Sequence, residues 1–225
     1  MLKGRIKFIA DMIPECSIVS DIGTDHAYIP IYMVKNERCQ RAIGSDIGKG
    51  PVEVANRSIL KYGVQNRVET RLGSGLKPIH EDEMDVCVIA GMGGMLIREI
   101  LKDDAKKAEK ARALIIQPMN CIELVREWLY GNGFEIFDEG LVAEGERIYN
   151  VVAASWTGRI QSKDMVYYYI GEKLIEKKDP LLKRYLTKRI GIIDKIINEM
   201  SAMKEKDNAV LTDFIKLRDS LKGLF

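Results

Sequence analysis

Phe134-Glu135-Ile136-Phe137-Asp138-Glu139-Gly140-Leu141-Val142-Ala143 is followed, after a short acidic link around Gly145, by Ile148-Tyr149-Asn150-Val151-Val152-Ala153-Ala154-Ser155-Trp156. Both runs have strand character and no helix separates them, so they read as neighbouring antiparallel strands. Upstream of the turn Gly131-Asn132-Gly133 the order is different. Short β-branched runs at 17–22, 41–46, 68–72, 85–90 and 113–116 alternate with helical periodicity at 27–35, 51–62, 95–101 and 122–130. Such alternation means parallel strands with both faces covered. The reading is an α/β sheet of seven strands that ends in an antiparallel hairpin. A plain dinucleotide-binding sheet is expected to continue its alternation instead.

The residues that bear chemistry fall at the carboxyl ends of these strands, where ligands bind in open α/β sheets. After the first strand stands Asp21-Ile22-Gly23-Thr24-Asp25-His26-Ala27-Tyr28-Ile29-Pro30. Gly23 permits a tight turn, but the two further glycines of a dinucleotide fingerprint are absent. A pyrophosphate would lie beside two carboxylates, so the site suits a cationic ligand better. Capping and solvation are the plain alternative for these side chains. Asp46 ends the second strand, 25 positions after Asp21, where an acid can accept hydrogen bonds from both hydroxyls of a ribose. Gly73-Ser74-Gly75 and Gly91-Met92-Gly93-Gly94 close the third and fourth strands. Either loop alone is ordinary turn chemistry; four special strand ends together make a crevice.

Of the 225 residues, 46% are hydrophobic and 30% charged, which suits a packed core rather than a disordered chain. No apolar run is long enough to span a bilayer. The opening Met1-Leu2-Lys3-Gly4-Arg5 leads into an amphipathic segment without the features of a secretory signal, so the expected compartment is the cytoplasm. Four scattered cysteines and two histidines, His26 and His80, argue against both a zinc site and a disulfide framework. Residues 1–160 hold 21 basic and 23 acidic side chains, whereas 161–225 hold 14 and 10. The first segment is the expected sheet-bearing domain. The second reads as helices only, with apolar stripes Leu182-Leu186-Ile193-Ile196-Met200-Met203 and Leu211-Phe214-Ile215-Leu221-Leu224 around a polar turn at 204–208. Its basic surplus either solvates a helix surface or meets a polyanion.

The stretch from Asp21 to Pro30 closely resembles the signature of the bacterial tRNA adenine-22 N1-methyltransferase family. Ile89-Ala90-Gly91-Met92-Gly93-Gly94 and Leu114-Ile115-Ile116-Gln117-Pro118 are similar to two more of its motifs, and the basic tail matches its C-terminal helical domain. The terminal hairpin likewise resembles the Rossmann-like methyltransferase sheet. Two departures stand out: Ser74 where the family often has Asp, and Met119 where it often has Asn directly after Gln-Pro. The resemblance implies S-adenosyl-L-methionine as cofactor, a ligand with a sulfonium, an ammonium and one carboxylate. It implies S-adenosyl-L-homocysteine as product and tRNA as partner; no metal, no membrane and a monomeric state are the further expectations. Cofactor contacts are expected at Asp21, Ile22, Gly23, Asp46, Ile47, Gly73, Ser74 and Gly91. Asp25 and His26 are the catalytic candidates, next to the cofactor loop and able to face the base. A coiled-coil hairpin is expected to bind RNA through Lys177, Lys178, Lys183, Arg184, Lys188 and Arg189. Two other readings stay open on the residues alone: a methyltransferase for a small molecule or protein, and a non-catalytic RNA-binding protein on the same fold.

Overall fold

The computed structural model describes residues 2–203 and 207–224; Met1, Phe225 and Lys204-Glu205-Lys206 of the expected polar turn lie outside the described residues. The chain divides into two compact units, Met1–Ser162 and Lys163–Phe225.

The first unit is built on one sheet of seven strands: β1 (Cys16–Ile22), β2 (Cys39–Asp46), β3 (Val68–Leu72), β4 (Val86–Met92), β5 (Ala113–Pro118), β6 (Phe134–Glu144) and β7 (Arg147–Trp156). Their order across the sheet is β3-β2-β1-β4-β5-β7-β6. The first five are parallel, and β7 runs antiparallel to both β5 and β6. The last strand in sequence is therefore inserted between its two predecessors. Every residue of β5 is buried, as expected for a central strand covered on both faces.

Helices α1 (Gly4–Met12), α2 (Tyr28–Lys35) and α3 (Lys49–Tyr62) supply Ile9, Ile31, Val34, Ala55 and Ile59 to a core shared with Val19, Val88, Ile115 and Val151 of the sheet. Alternate strand positions such as Ile89, Leu114 and Ile116 are equally buried and point to the other face. The remaining helices of this unit are α4 (Gly94–Asp103), α5 (Ala105–Ala108) and α6 (Ile122–Gly131). α3 begins two residues before Pro51, which occupies its first turn, and stops at Gly63 in the left-handed region. A salt bridge ties α6 to β6: Arg126 Nε lies 2.7 Å from Glu139 Oε1, and neither side chain is exposed. A 3-10 turn at Glu81–Glu83 is clasped to β3 by Arg71, whose two terminal nitrogens meet both Glu83 oxygens at 2.5 and 2.7 Å.

The second unit contains α7 (Met165–Tyr169), α8 (Glu172–Glu176), α9 (Leu182–Ala202) and α10 (Asn208–Lys222), with α9 and α10 packed on each other. α9 is shorter than the helix expected from Pro180 onward. Its buried seam is Leu186, Ile190, Ile193 and Ile197, with Tyr185 beside it, while Met203 is exposed. Ile190 fills the step of the stripe that the sequence spacing leaves open beside Arg189. Asp207 starts α10 by accepting hydrogen bonds from the Ala209 and Val210 amides.

Candidate active site

At the end of β1 the Gly23 and Thr24 amides donate to the Ser45 carbonyl of β2, at 2.7 and 2.9 Å. This turns the chain over the sheet edge. Gly23 has φ +76°, and a Cβ there would collide with the Met92 methyl group, so conformation and space both call for glycine. Thr24 is buried, and its Oγ1 accepts the Ala27 amide at 3.1 Å, closing the turn into α2. Asp21 lies beneath this turn. Burial pushes its carboxyl up to about 7, while a hydrogen bond from Thr24 pulls the other way. Burial thus disfavours the charge on Asp21, and a cation placed beside it would favour the ionised form. Ile22, the last residue of β1, is buried beside it.

Asp46 ends β2 half-buried. Its Oδ1 accepts the Gly48 amide at 2.7 Å and its backbone carbonyl accepts the Gly73 amide at 2.9 Å. Its other carboxylate oxygen accepts no hydrogen bond among the described residues. Ile47 next to it is 74% exposed, an apolar side chain held open at a strand end. Gly73 packs against the Pro78 ring, and Ser74 faces solvent. Asp46 therefore links the second and third loops through its own backbone.

The fourth and fifth loops are laced together. The Met119 amide donates to the Met92 carbonyl at 2.7 Å, and the Gly94 amide meets both the Asn120 carbonyl and its Oδ1, at 3.2 and 3.1 Å. A Cβ on Gly94 would strike the Cys121 carbonyl. Asn120 thus caps the start of α4, whereas Met119 projects from the edge with a half-exposed side chain. Gly91 stands at a bulge between Ala90 and Met92.

Arg5 belongs to this edge as well, although the sequence pattern does not mark it. From the first turn of α1 its guanidinium hydrogen-bonds the buried Gln117 Oε1, lies 3.7 Å from the Met119 sulfur and sits over the Tyr149 ring at 5.2 Å. Its amide donates to Glu144 Oε1 at 2.7 Å. Gln117 in turn donates to the Pro118 carbonyl at 2.7 Å, which fixes its amide orientation. No local pattern in α1 announces this role, because the partner is more than a hundred residues away.

Asp25 and His26 stand together in the first loop, His26 Nε2 3.3 Å from Asp25 Oδ2, with the His26 and Asp25 side chains 42% and 70% exposed. The His26 ring stacks on Tyr28 at 4.9 Å and 8°. They form an exposed flat surface with a carboxylate at its margin. Among the described residues no cluster of His, Cys, Asp and Glu is arranged to hold a metal. In the second unit Lys177, Lys178 and Lys183 are exposed, and Arg184, Lys188 and Arg189 are half-buried. Arg189 lies over the Tyr169 ring at 5.2 Å, so part of this cluster serves its own unit.

A family model described as a methyltransferase domain matches residues 2–152. The tRNA (adenine(22)-N(1))-methyltransferase of Bacillus subtilis is 32% identical over 204 residues, 89% of this chain and 86% of that protein. The crystal structure of the B. subtilis M1A22 tRNA methyltransferase TrmK superposes with a TM-score of 0.89 at 31% identity, over 100% of this chain and 98% of that one. A Streptococcus pneumoniae protein described as a putative tRNA (m1A22) methyltransferase, solved in complex with S-adenosyl-L-methionine, gives 0.85 at 26% identity over 98% and 99%. M. capricolum TrmK, solved with S-adenosyl-homocysteine, gives 0.83 at 26% identity over 99% and 97%.

Proposed function

The chain belongs to the tRNA (adenine-22-N1)-methyltransferase family, and from that premise we propose that it transfers the methyl group of S-adenosyl-L-methionine to N1 of adenosine 22 in tRNA. One observation of the geometry carries the reading: Asp21, buried and with no cation beside it among the described residues, lies one strand from Asp46 at the same sheet edge. That edge fits a ligand bearing an ammonium, a sulfonium and a ribose. It does not fit a pyrophosphate.

When bound, the cofactor supplies an electrophilic methyl carbon; the N1 lone pair forms the new bond as the carbon–sulfur bond breaks and its electron pair stays on sulfur. N1 gives up no proton in this exchange, so no residue need act as a base. The protein's tasks are orientation and charge. Asp46 receives the ribose hydroxyls through its unengaged oxygen. Ile47, Gly73 and Ser74 line the adenosine end, with Ile22, Gly23 and Gly91 around the methionine end. Asp25 and His26 face the target base, where the carboxylate stabilises the positive charge that the ring acquires. Paired adenine hides N1, so the base must be unpaired or extruded. The basic second unit, a coiled-coil hairpin by the four-and-three spacing of Leu186, Ile190, Ile193 and Ile197, holds the RNA backbone. The setting is the cytoplasm, with a monomer acting alone.

The test is incubation with labelled S-adenosyl-L-methionine and unmodified tRNA, followed by mapping of the labelled nucleoside. Label on N1 of adenosine 22 is expected. Tight cofactor binding with no label in tRNA would shift the reading to a small-molecule or protein substrate; absence of cofactor binding would leave a non-catalytic RNA-binding protein.

A further inference from the structure

A second concave surface lies along α2 and reaches the first strand-end loop at Tyr28. It is a groove of about 460 Å³ between the start of the chain, α2 and the end of α3. Tyr28, Tyr32 and Tyr62 line it together with Leu2, Lys35 and Asn36. The volume lies within the range of small-ligand pockets, about 300–1,000 Å³. Tyr28 and Tyr62 are each 40% exposed, so part of each ring is open to solvent.

The charged residue that lines the groove is Lys35. Lys35 Nζ lies over the Tyr62 ring at 5.3 Å, and Lys7 Nζ over the Tyr32 ring at 5.6 Å. Asp11 neutralises Lys7 through a 2.5 Å contact. Lys35, and the exposed Lys3 and Lys61 that neighbour the lining residues Leu2 and Tyr62 in sequence, have no acidic partner among the described residues. No carboxylate among the described residues lines the groove itself. Partly exposed tyrosine rings beside a lysine without an acidic partner are the chemistry that takes single-stranded nucleic acid, with bases packing on the rings and phosphates meeting the ammonium group. An apolar peptide would leave the lysines unused, and an acidic one would leave the rings unused. Tyr28 also connects the groove to the candidate active site, because its ring stacks on His26.

We propose that this groove is an RNA-binding site of the first unit, holding an unpaired nucleotide that neighbours the methylated adenosine in the same tRNA. The proposal rests on the functional reading above. It gives the catalytic unit its own grip on the substrate, independent of the basic helices of the second unit, and it supplies stacking for a base displaced when adenosine 22 is extruded.

The test uses the full chain with Tyr62→Leu, Tyr62→Phe and Lys35→Glu, none of which touches the strand-end loops. Affinity for unmodified tRNA is measured by fluorescence anisotropy across a salt series, cofactor affinity by calorimetry, and methylation as KM and kcat. Tyr62→Leu is expected to weaken tRNA binding by about tenfold, while Tyr62→Phe, which keeps the ring, stays near wild type. Lys35→Glu is expected to weaken binding and lower the salt slope by about 1. In both the loss appears in the KM for tRNA, with kcat at saturating RNA, cofactor affinity and melting temperature unchanged. If the wild-type protein methylates tRNA and all three variants bind and turn over like it, the groove is not an RNA site. The proposal is equally overturned if adenosine monophosphate binds wild type but not Tyr62→Leu while tRNA affinity is unmoved, which would assign the groove to a free nucleotide. If wild type labels no tRNA, the functional reading falls and takes this proposal with it.

Discussion

Asp46→Ala is expected to weaken S-adenosyl-L-methionine binding by about tenfold to a hundredfold, since charge-assisted hydrogen bonds are worth about 1.5–3 kcal/mol. Calorimetry is the measurement, with an unchanged melting temperature as the control for folding; an unaltered dissociation constant removes Asp46 from the site. Asp21 leads to a pH dependence. Its carboxyl is held up to about 7 by burial in the free protein, and a cationic ligand favours the ionised form. Affinity for the cofactor should therefore fall as pH drops below about 7, by up to tenfold per pH unit, and Asp21→Asn should flatten the profile. The same shift works against the free protein's stability: the folded pKa lies above the ordinary carboxylate value, so stability present below that value is lost as pH rises toward 7. His26→Ala should lower turnover more than cofactor affinity, and turnover at the wild-type rate would make it a structural cap. Asp21, Gly23 and Asp46 are legible in the sequence because strand ends advertise themselves by short polar and glycine punctuation. Arg5 is not, because its meaning lies in Gln117 and Tyr149, which only the tertiary fold brings to α1.

Elements carry the two charge clasps. Arg126 and Glu139 join α6 to β6 with no exposure, so losing one partner breaks an ion pair that is buried on both sides. Arg126→Met should cost about 3–5 kcal/mol in urea denaturation, and adding Glu139→Leu should recover much of it. The Arg71 guanidinium holds the Glu83 carboxyl down to about 2. Its stabilisation is fully present above the ordinary glutamate value and is lost as pH falls through about 2, so the gap in stability between wild type and Glu83→Gln should close over that acid range. Element order is readable from the change between helical and strand periodicity, and the hairpin after Gly133 is the decisive break. The turn at Glu81–Glu83 and the helix α5 leave no such trace, since elements of three or four residues are too short to repeat a period. In α9 the apolar stripe read from spacing passes from Leu186 to Ile193 without Ile190, because the charge of Arg189 masks the apolar neighbour that packs.

For the molecule as a whole, the segregation of charge between the two units is the property with a direct readout. Lys178→Glu with Lys183→Glu changes two exposed cations of the second unit and spares Arg189, which packs on Tyr169. Affinity for tRNA should fall, and its salt slope should shrink by about 1 per lost phosphate contact, with cofactor binding unaltered. Wild-type affinity and slope would leave these lysines as solvating charges. The arrangement of the sheet has a consequence measured in time. β7 is made after β6 yet lies between it and β5, so the fully buried β5 keeps one ladder edge open until residue 156 has been synthesised. At about 5–20 residues per second, the stretch from Pro118 to Trp156 occupies a ribosome for roughly 2–8 s. During that interval the nascent chain presents an apolar strand with unsatisfied amides and carbonyls, the form in which strands pair with the wrong neighbour.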